Sequence, residues 1–183
     1  MTREEMRAAI RPLMSEERYL HSLGVEREAE RLARRWGEDP EKAAVAGILH
    51  DCCKEMPLPE ALQIVGQSAI IPDIDFREQP QLIHGYAAAE LLGSFGVRDR
   101  EIEDAVRYHT TGRTGMSRLE KIIFVADYIG YDRRFPEAAA VRRVARRSLD
   151  EACGMELAFT RDKLLQKGKT IVPLTLEAIA EFE

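Results

Sequence analysis

The chain has 183 residues, 45% of them apolar and 32% charged, with a formal net charge of −5. This is the balance of one globular domain large enough to hold a core, and it excludes a disordered or fibrous chain. The negative field disfavours nucleic acid as a partner, no run approaches the roughly 20 apolar residues of a membrane span, and three cysteines, two of them adjacent, make neither a disulfide framework nor a CxxC thiolate site.

In chain order, the opening MTREEMRAAIRPLM carries mixed charge in place of an apolar signal core, so the expected location is the cytoplasm. Apolar residues then recur at helical spacing almost throughout. The pattern predicts helices near 3–12, 15–36, 40–54, 58–66, 80–95, 99–109, 117–130, 137–153 and 155–167, with the tail 170–183 packing as a short helix. Asp39-Pro40-Glu41 is a helix start, with a capping side chain, proline in the first turn and an acid near the positive end. Ser117-Arg118-Leu119-Glu120 fits a capping box. Stops are expected at Gly24, with a local irregularity inside 15–36 as the alternative there, and at Gly37, Gly96, Gly112 and Gly130, and loops at Pro57, Pro59, Pro72, Pro80 and Pro136. The fold class is all-α, one helical domain over 1–183 with its core at about 15–153.

Four histidines fall on these helices, and each sits on an apolar stripe. His21 precedes Val25, Ala29 and Leu32; His50 follows Ala43, Ala46 and Gly47; His84 leads Ala87, Ala88 and Leu91; His109 closes Ile102, Ala105 and Val106. That spacing is the face a helix turns to the core. One such histidine is usually a satisfied core residue. Four on four helices argue for a shared partner, because buried imidazoles need partners. Two carboxylates join them. Asp51 follows His50 at the end of the apolar run 43–49, and Asp127 interrupts Ile122-Ile123-Phe124-Val125-Ala126. A buried carboxylate must be paired or hold a metal. Asp127 has a simpler alternative, an ion pair with one of the 27 Lys and Arg residues. Cys52 and Cys53 read as ordinary core residues. Taken together, imidazoles and carboxylates suit a first-row metal rather than calcium.

The ordered series His21, His50-Asp51, His84, His109 and Asp127 resembles the H…HD…H…H…D signature of the HD-domain metal phosphohydrolases. Within them it is most similar to the YqeK-like group, the symmetrical bis(5'-nucleosyl)-tetraphosphatases. The matching stretches are RYLHSLGV at 18–25, GILHDCCKEM at 47–56, LIHGYAAAELL at 82–92, YHTTGRTGMSRLEKIIFVADYI at 108–129, DRRFP at 132–136 and KGKTIVPLTLEA at 167–178. The resemblance implies an HD-type helical bundle holding two divalent or trivalent metal ions, iron foremost and manganese or zinc as alternatives. It implies His21, His50, Asp51 and Asp127 at one ion, and Asp51, His84 and His109 at the other, with Asp51 bridging. It further implies symmetrical cleavage of diadenosine tetraphosphate, a dinucleoside polyphosphate, to two ADP by attack of a metal-bridging hydroxide, with Asp51 as a catalytic group. Two departures stand out: Gly130-Tyr131-Asp132 replaces the usual Glu-Pro-Asn, and an asparagine usual in the tail motif is absent from Leu176-Glu177-Ala178-Ile179-Ala180.

Four phosphates call for cations. Lys54, one helical turn after His50, is the first choice and a second catalytic group, its plain alternative being a solvated lysine. Arg18, three residues before His21, has a surface ion pair as alternative, and Arg133 matches the family arginine in DRRFP, with its neighbour Arg134 able to take the role instead. Thr111, just after His109, offers a hydroxyl at a helix end for phosphate or ribose; the plain alternative is a C-cap turn. Arg142, Arg143, Arg146 and Arg147 read as a solvated or acid-paired face, and Trp36 as core, with Tyr108 able to stack on adenine. No P-loop, dinucleotide fingerprint or GxSxG elbow is present. Competing readings are an HD nucleotide phosphatase or cyclic-nucleotide phosphodiesterase, and a non-catalytic metal-bound nucleotide sensor. A homodimer is the default assembly.

Overall fold

The structure is a computed structural model and describes residues 1–70 and 72–183. The described residues form ten α-helices and no strand: α1 (Arg3–Ile10), α2 (Glu16–Trp36), α3 (Pro40–Leu49), α4 (Leu58–Val65), α5 (Ile83–Leu91), α6 (Arg100–Tyr108), α7 (Arg118–Ile129), α8 (Pro136–Val144), α9 (Leu149–Gln166) and α10 (Pro173–Phe182). Short 3-10 turns cover Arg11–Leu13, Pro80–Leu82 and Leu92–Phe95. The all-α expectation stands.

Most helix starts follow their local chemistry. Thr2 and Glu5 close a capping box on α1, and Ser117 and Glu120 close another on α7. The Asp39 carboxylate accepts from the backbone of Glu41 and Lys42, ahead of Pro40 in α3. Gly37 ends α2 in the left-handed region, φ 69°.

Four expectations need correcting. First, α2 runs unbroken through Gly24. Second, α3 stops at Leu49, and residues 51–55 continue as turns with i→i−3 bonds, Cys52 N to Leu49 O at 3.1 Å and Lys54 N to Asp51 O at 2.9 Å. The tighter winding leaves His50 as the helix cap and swings Asp51 and Lys54 off a regular helix face. Third, the break expected at 154 falls at 145–148. There the Ser148 hydroxyl accepts from Glu151 N and starts α9, while Gly154 lies mid-helix beneath Phe182. The segment 80–95 is likewise not one helix but α5 between two 3-10 turns.

The core is built around α7, which packs on α2, α3, α6, α8 and α9 and buries Leu119, Ile122, Ile123, Phe124, Val125, Ala126 and Ile129. On one side α2 and α3 lie side by side. A Cβ at Gly47 would stand 2.8 Å from Glu26 Cα, so only glycine lets these two backbones approach so closely. That approach draws His21 of α2 and His50 at the end of α3 together. On the other side α9 covers α7 and α10 packs on α9, with Leu157 and Ala178 lying close to Gly112 in the turn after α6.

Candidate metal centre

His21, His50, His84 and His109 are all at most 3% exposed, and Asp51 is 1% exposed. Their rings run edge to face in a chain, His21 to His50 at 5.4 Å between centroids, His50 to His109 at 5.0 Å and His109 to His84 at 4.9 Å. Three rings are held from below by their own helix. The Nδ1 of His50 donates to Gly47 O at 2.8 Å, that of His84 to Gln81 O at 2.9 Å, and that of His109 to Val106 O at 2.7 Å. A carbonyl only accepts, so Nδ1 carries the proton and Nε2 keeps its lone pair. His21 is held differently, its Nδ1 lying 2.9 Å from Asp132 Oδ2, a residue 111 positions away.

The Nε2 atoms converge on the Asp51 carboxylate, whose two oxygens face two different groups. Oδ1 lies 3.0 Å from His84 Nε2 and 3.6 Å from His109 Nε2. Oδ2 lies 3.4 Å from His50 Nε2, 3.9 Å from His21 Nε2 and 2.9 Å from the Arg18 guanidinium. Asp127 Oδ1 completes the second group, 3.0 Å from His21 Nε2 and 2.8 Å from Arg133 Nη2. Asp127 is not fully enclosed, its side chain being 24% exposed. The ion-pair alternative for this aspartate is therefore also realised.

This arrangement sets lone pairs against lone pairs. His84 Nε2 and His109 Nε2 are 3.0 Å apart, and both point at a carboxylate oxygen. His50 Nε2 and Asp51 Oδ1 are buried without any hydrogen-bond partner among the described residues. Burial drives the His84 pKa down to about 4 against the pull of Asp51, so this ring is neutral at pH 7. Burial alone would raise Asp51, but the imidazoles of His50, His109 and His84 outweigh it and hold the carboxyl well below its usual range. Asp127 follows the same pattern, burial opposed chiefly by His21. His50 Nε2 and Asp51 Oδ1 are thus buried acceptors with no donor, the kind of pair that a cation satisfies. Two clusters meet metal-ligand spacing: His21, His50 and Asp127, and His50, Asp51 and His109. An imidazole–carboxylate donor set suits a first-row divalent metal.

Around the centre stand the expected cations. Lys54 Nζ is 3.2 Å from His84 Nε2 and 3.9 Å from Asp51 Oδ1. Arg18 and Arg133 are both part-exposed on the Asp127 side. Thr111, however, is turned away: it is 1% exposed, and its carbonyl accepts from the Thr175 hydroxyl at 2.9 Å. The hydroxyl beside the centre is that of Thr110, 3.1 Å from His109 Nε2. One step along a helix end rotates a side chain by about 100°, which is enough to exchange the two. Trp36 donates to Ala145 O at 3.2 Å and is structural, and Arg113 lies over Tyr108 while bonding to Glu120 and Asp104.

Two contributors escaped the sequence reading. Asp132 holds His21. Arg142, expected on a solvated face, instead donates to the carbonyls of Ile129 at 2.6 Å, Gly130 at 3.0 Å and Arg133 at 3.1 Å, pinning the loop that carries Asp132 and Arg133.

The sequence model of the HD domain matches residues 18–132, from the first arginine of the centre to Asp132. The chain belongs to the HD-domain family. Among HD proteins it is similar to the symmetrical bis(5'-nucleosyl)-tetraphosphatase of Bacillus subtilis (strain 168), 40% identical over 176 residues, 96% of this chain and 94% of that one. It is 34% identical over 182 residues to the protein of the same name from Staphylococcus aureus (strain NCTC 8325 / PS 47), covering 98% and 93% of the two chains. Its fold matches the crystal structure of a Clostridium acetobutylicum HD superfamily hydrolase described as involved in NAD metabolism. The TM-score is 0.93 at 35% identity, covering 100% of this chain and 97% of that one. No helix among the described residues is long and apolar enough to cross a membrane.

Proposed function

We propose that this chain is a metal-dependent hydrolase that adds water across the central P–O–P bridge of diadenosine tetraphosphate and releases two ADP. The observation that carries the reading is Asp51, one buried carboxylate whose two oxygens face two separate imidazole groups. His21, His50 and Asp127 would hold one ion and His84 and His109 the other, with Asp51 shared between the two groups. Iron is the proposed metal. When bound, the ion pair supplies an acidified water and offsets charge at phosphorus.

The remaining work falls to the chain itself. The Nδ1 bonds fix each imidazole with its lone pair inward. Lys54 stands on the His84 side, and Arg18 and Arg133 on the Asp127 side, so a tetraphosphate laid across the centre meets cationic groups at both ends. Thr110 adds a hydroxyl next to His109. The relatives named above support the substrate, since two carry the symmetrical tetraphosphatase name over nearly the full length of this chain. The whole of 1–183 acts as one domain, with α9 backing α7 and α10 packed on α9. It works as a cytoplasmic enzyme, with a homodimer as its default assembly.

The test combines metal analysis with product identification. Iron, manganese and zinc are quantified in the purified protein, which is then incubated with diadenosine tetraphosphate. Two ADP per substrate, lost on chelation and restored by iron, is the expected result. Release of inorganic phosphate or of unequal nucleotides would assign another HD reaction, and nucleotide affinity without turnover would assign a sensor.

A further inference from the structure

Beside the centre, on the Asp127 side, lies an open cavity of about 430 Å³ lined by Leu20, His21, Tyr131 and Phe135 together with two acids, Glu17 and Asp132, and two arginines, Arg133 and Arg134. Its lining is unusual in two respects. Leu20, Tyr131 and Phe135 are large apolar side chains left 44%, 60% and 37% exposed, and they stand together. Its inner wall is His21, and Arg133 reaches from the same wall to Asp127, so the cavity is continuous with the centre.

Tyr131 is also held in place. Its hydroxyl reaches Leu20 O at 3.5 Å, and its ring lies on the backbone of α2 at Gly24, where an added Cβ would come within 2.7 Å of ring atom Cε1. The ring is thus supported on one side and open on the other. Phe135 is braced edge to face by Tyr128, 5.2 Å between centroids. The loop between them is tied down by Arg142 and by the Asp132 contact to His21. Fixed aromatic rings facing solvent, with two arginines beside them and a metal-type centre behind, are what a flat heteroaromatic group attached to a phosphate chain requires.

We infer that this cavity is a nucleobase subsite and that Tyr131 is its stacking platform. The ligand class rests on the proposed hydrolase reading: with phosphates over the centre and Arg133, the nucleoside end of the chain extends over Tyr131. Gly24 is part of the same device, because only a residue without a side chain lets the ring lie down against α2. Stacking tolerates any base, so the subsite gives affinity for a nucleoside without strict selection of adenine.

The experiment compares ADP with inorganic diphosphate on the metal-loaded protein by titration calorimetry, with diadenosine tetraphosphate turnover measured in parallel. Wild type is expected to bind ADP about tenfold or more tightly than diphosphate. Tyr131→Ala should remove most of that difference and Tyr131→Phe should keep it. Gly24→Ala should remove it without touching Tyr131 chemically, since the helix tolerates alanine and the ring must move. An unchanged difference in Tyr131→Ala, or none in wild type, overturns the subsite. Turnover present while Tyr131→Ala leaves the difference intact would reject the subsite and keep the hydrolase. A difference that collapses in Tyr131→Ala without any turnover in wild type would do the reverse.

Discussion

The two sides of the centre are built by different means. On one side His84 and His109 are oriented by carbonyls three residues earlier in their own segments, buried, and screened by Lys54 and Thr110. On the other, His21 is oriented by Asp132 from a loop 111 residues away, and Asp127 is partly open beside Arg18 and Arg133. A ring fixed by its own helix cannot move unless the helix does. A ring fixed by a loop depends on whatever holds the loop, here Arg142 and Gly130-Tyr131. The first side is suited to rigidity and the second to adjustment, and it is the second that borders the open cavity.

Asp51 is the one group both sides share, so removing it should erase the distinction. Asp51→Ala is expected to lose both ions and bring turnover essentially to background while the fold survives, since the substitution leaves an apolar methyl in a buried pocket. His50→Ala should behave nearly as severely. Metal content by elemental analysis, hydrolysis and circular dichroism check this together. A metal-free variant that still turned over would end the mechanism. Asp132→Ala should instead act on one side alone, weakening metal affinity or activity by about 10- to 100-fold, the usual effect of losing a carboxylate behind a ligating histidine. The number of ions retained per chain separates the cases: one remaining ion supports two independently built sides, and loss of both denies it. Lys54→Ala should keep both ions and lower turnover about tenfold, the scale of one charged hydrogen bond. Unchanged kinetics would remove Lys54 from the reaction.

The same contrast explains what could be read in the sequence. His21, His50, His84 and His109 all announce themselves because helical periodicity alone puts them on buried stripes. Asp51 and Asp127 announce themselves by interrupting apolar runs. Asp132 leaves no such mark: it sits between Tyr131 and Arg133 in an exposed loop, and its meaning lies in a contact that no local pattern encodes. Arg142 is one of four arginines on a short stretch, and its targets are carbonyls, which have no sequence signature. The choice of Thr111 over Thr110 failed by one residue, where helix ends unwind and facing is hardest to infer. The break between α8 and α9 does leave a local mark. Ser148-Leu149-Asp150-Glu151 has the pattern of a capping box, and it outweighs an isolated glycine that a helix can absorb for about 1 kcal/mol.

The smallest expected effect concerns what lies behind the adjustable side. Glu156 of α9 is 5% exposed, and its Oε2 has no hydrogen-bond partner among the described residues. Burial, reinforced by the charge of Asp127 and only partly offset by Arg133, raises its pKa well above 4.5. The folded state therefore keeps a proton on this carboxyl that the unfolded chain releases. Its contribution to stability is complete below pH 4.5 and is lost as the pH rises toward the folded pKa. Glu156→Gln replaces the protonated acid by a neutral group of the same shape. In metal-stripped protein the variant should melt a few degrees above wild type at pH 8, and the two curves should converge toward pH 4.5. A constant offset across that range would mean that Glu156 does not titrate in the fold. A variant less stable at pH 8 would mean that the ionised carboxylate is already satisfied, and that α9 contributes a charge to the Asp127 side rather than only a wall behind it.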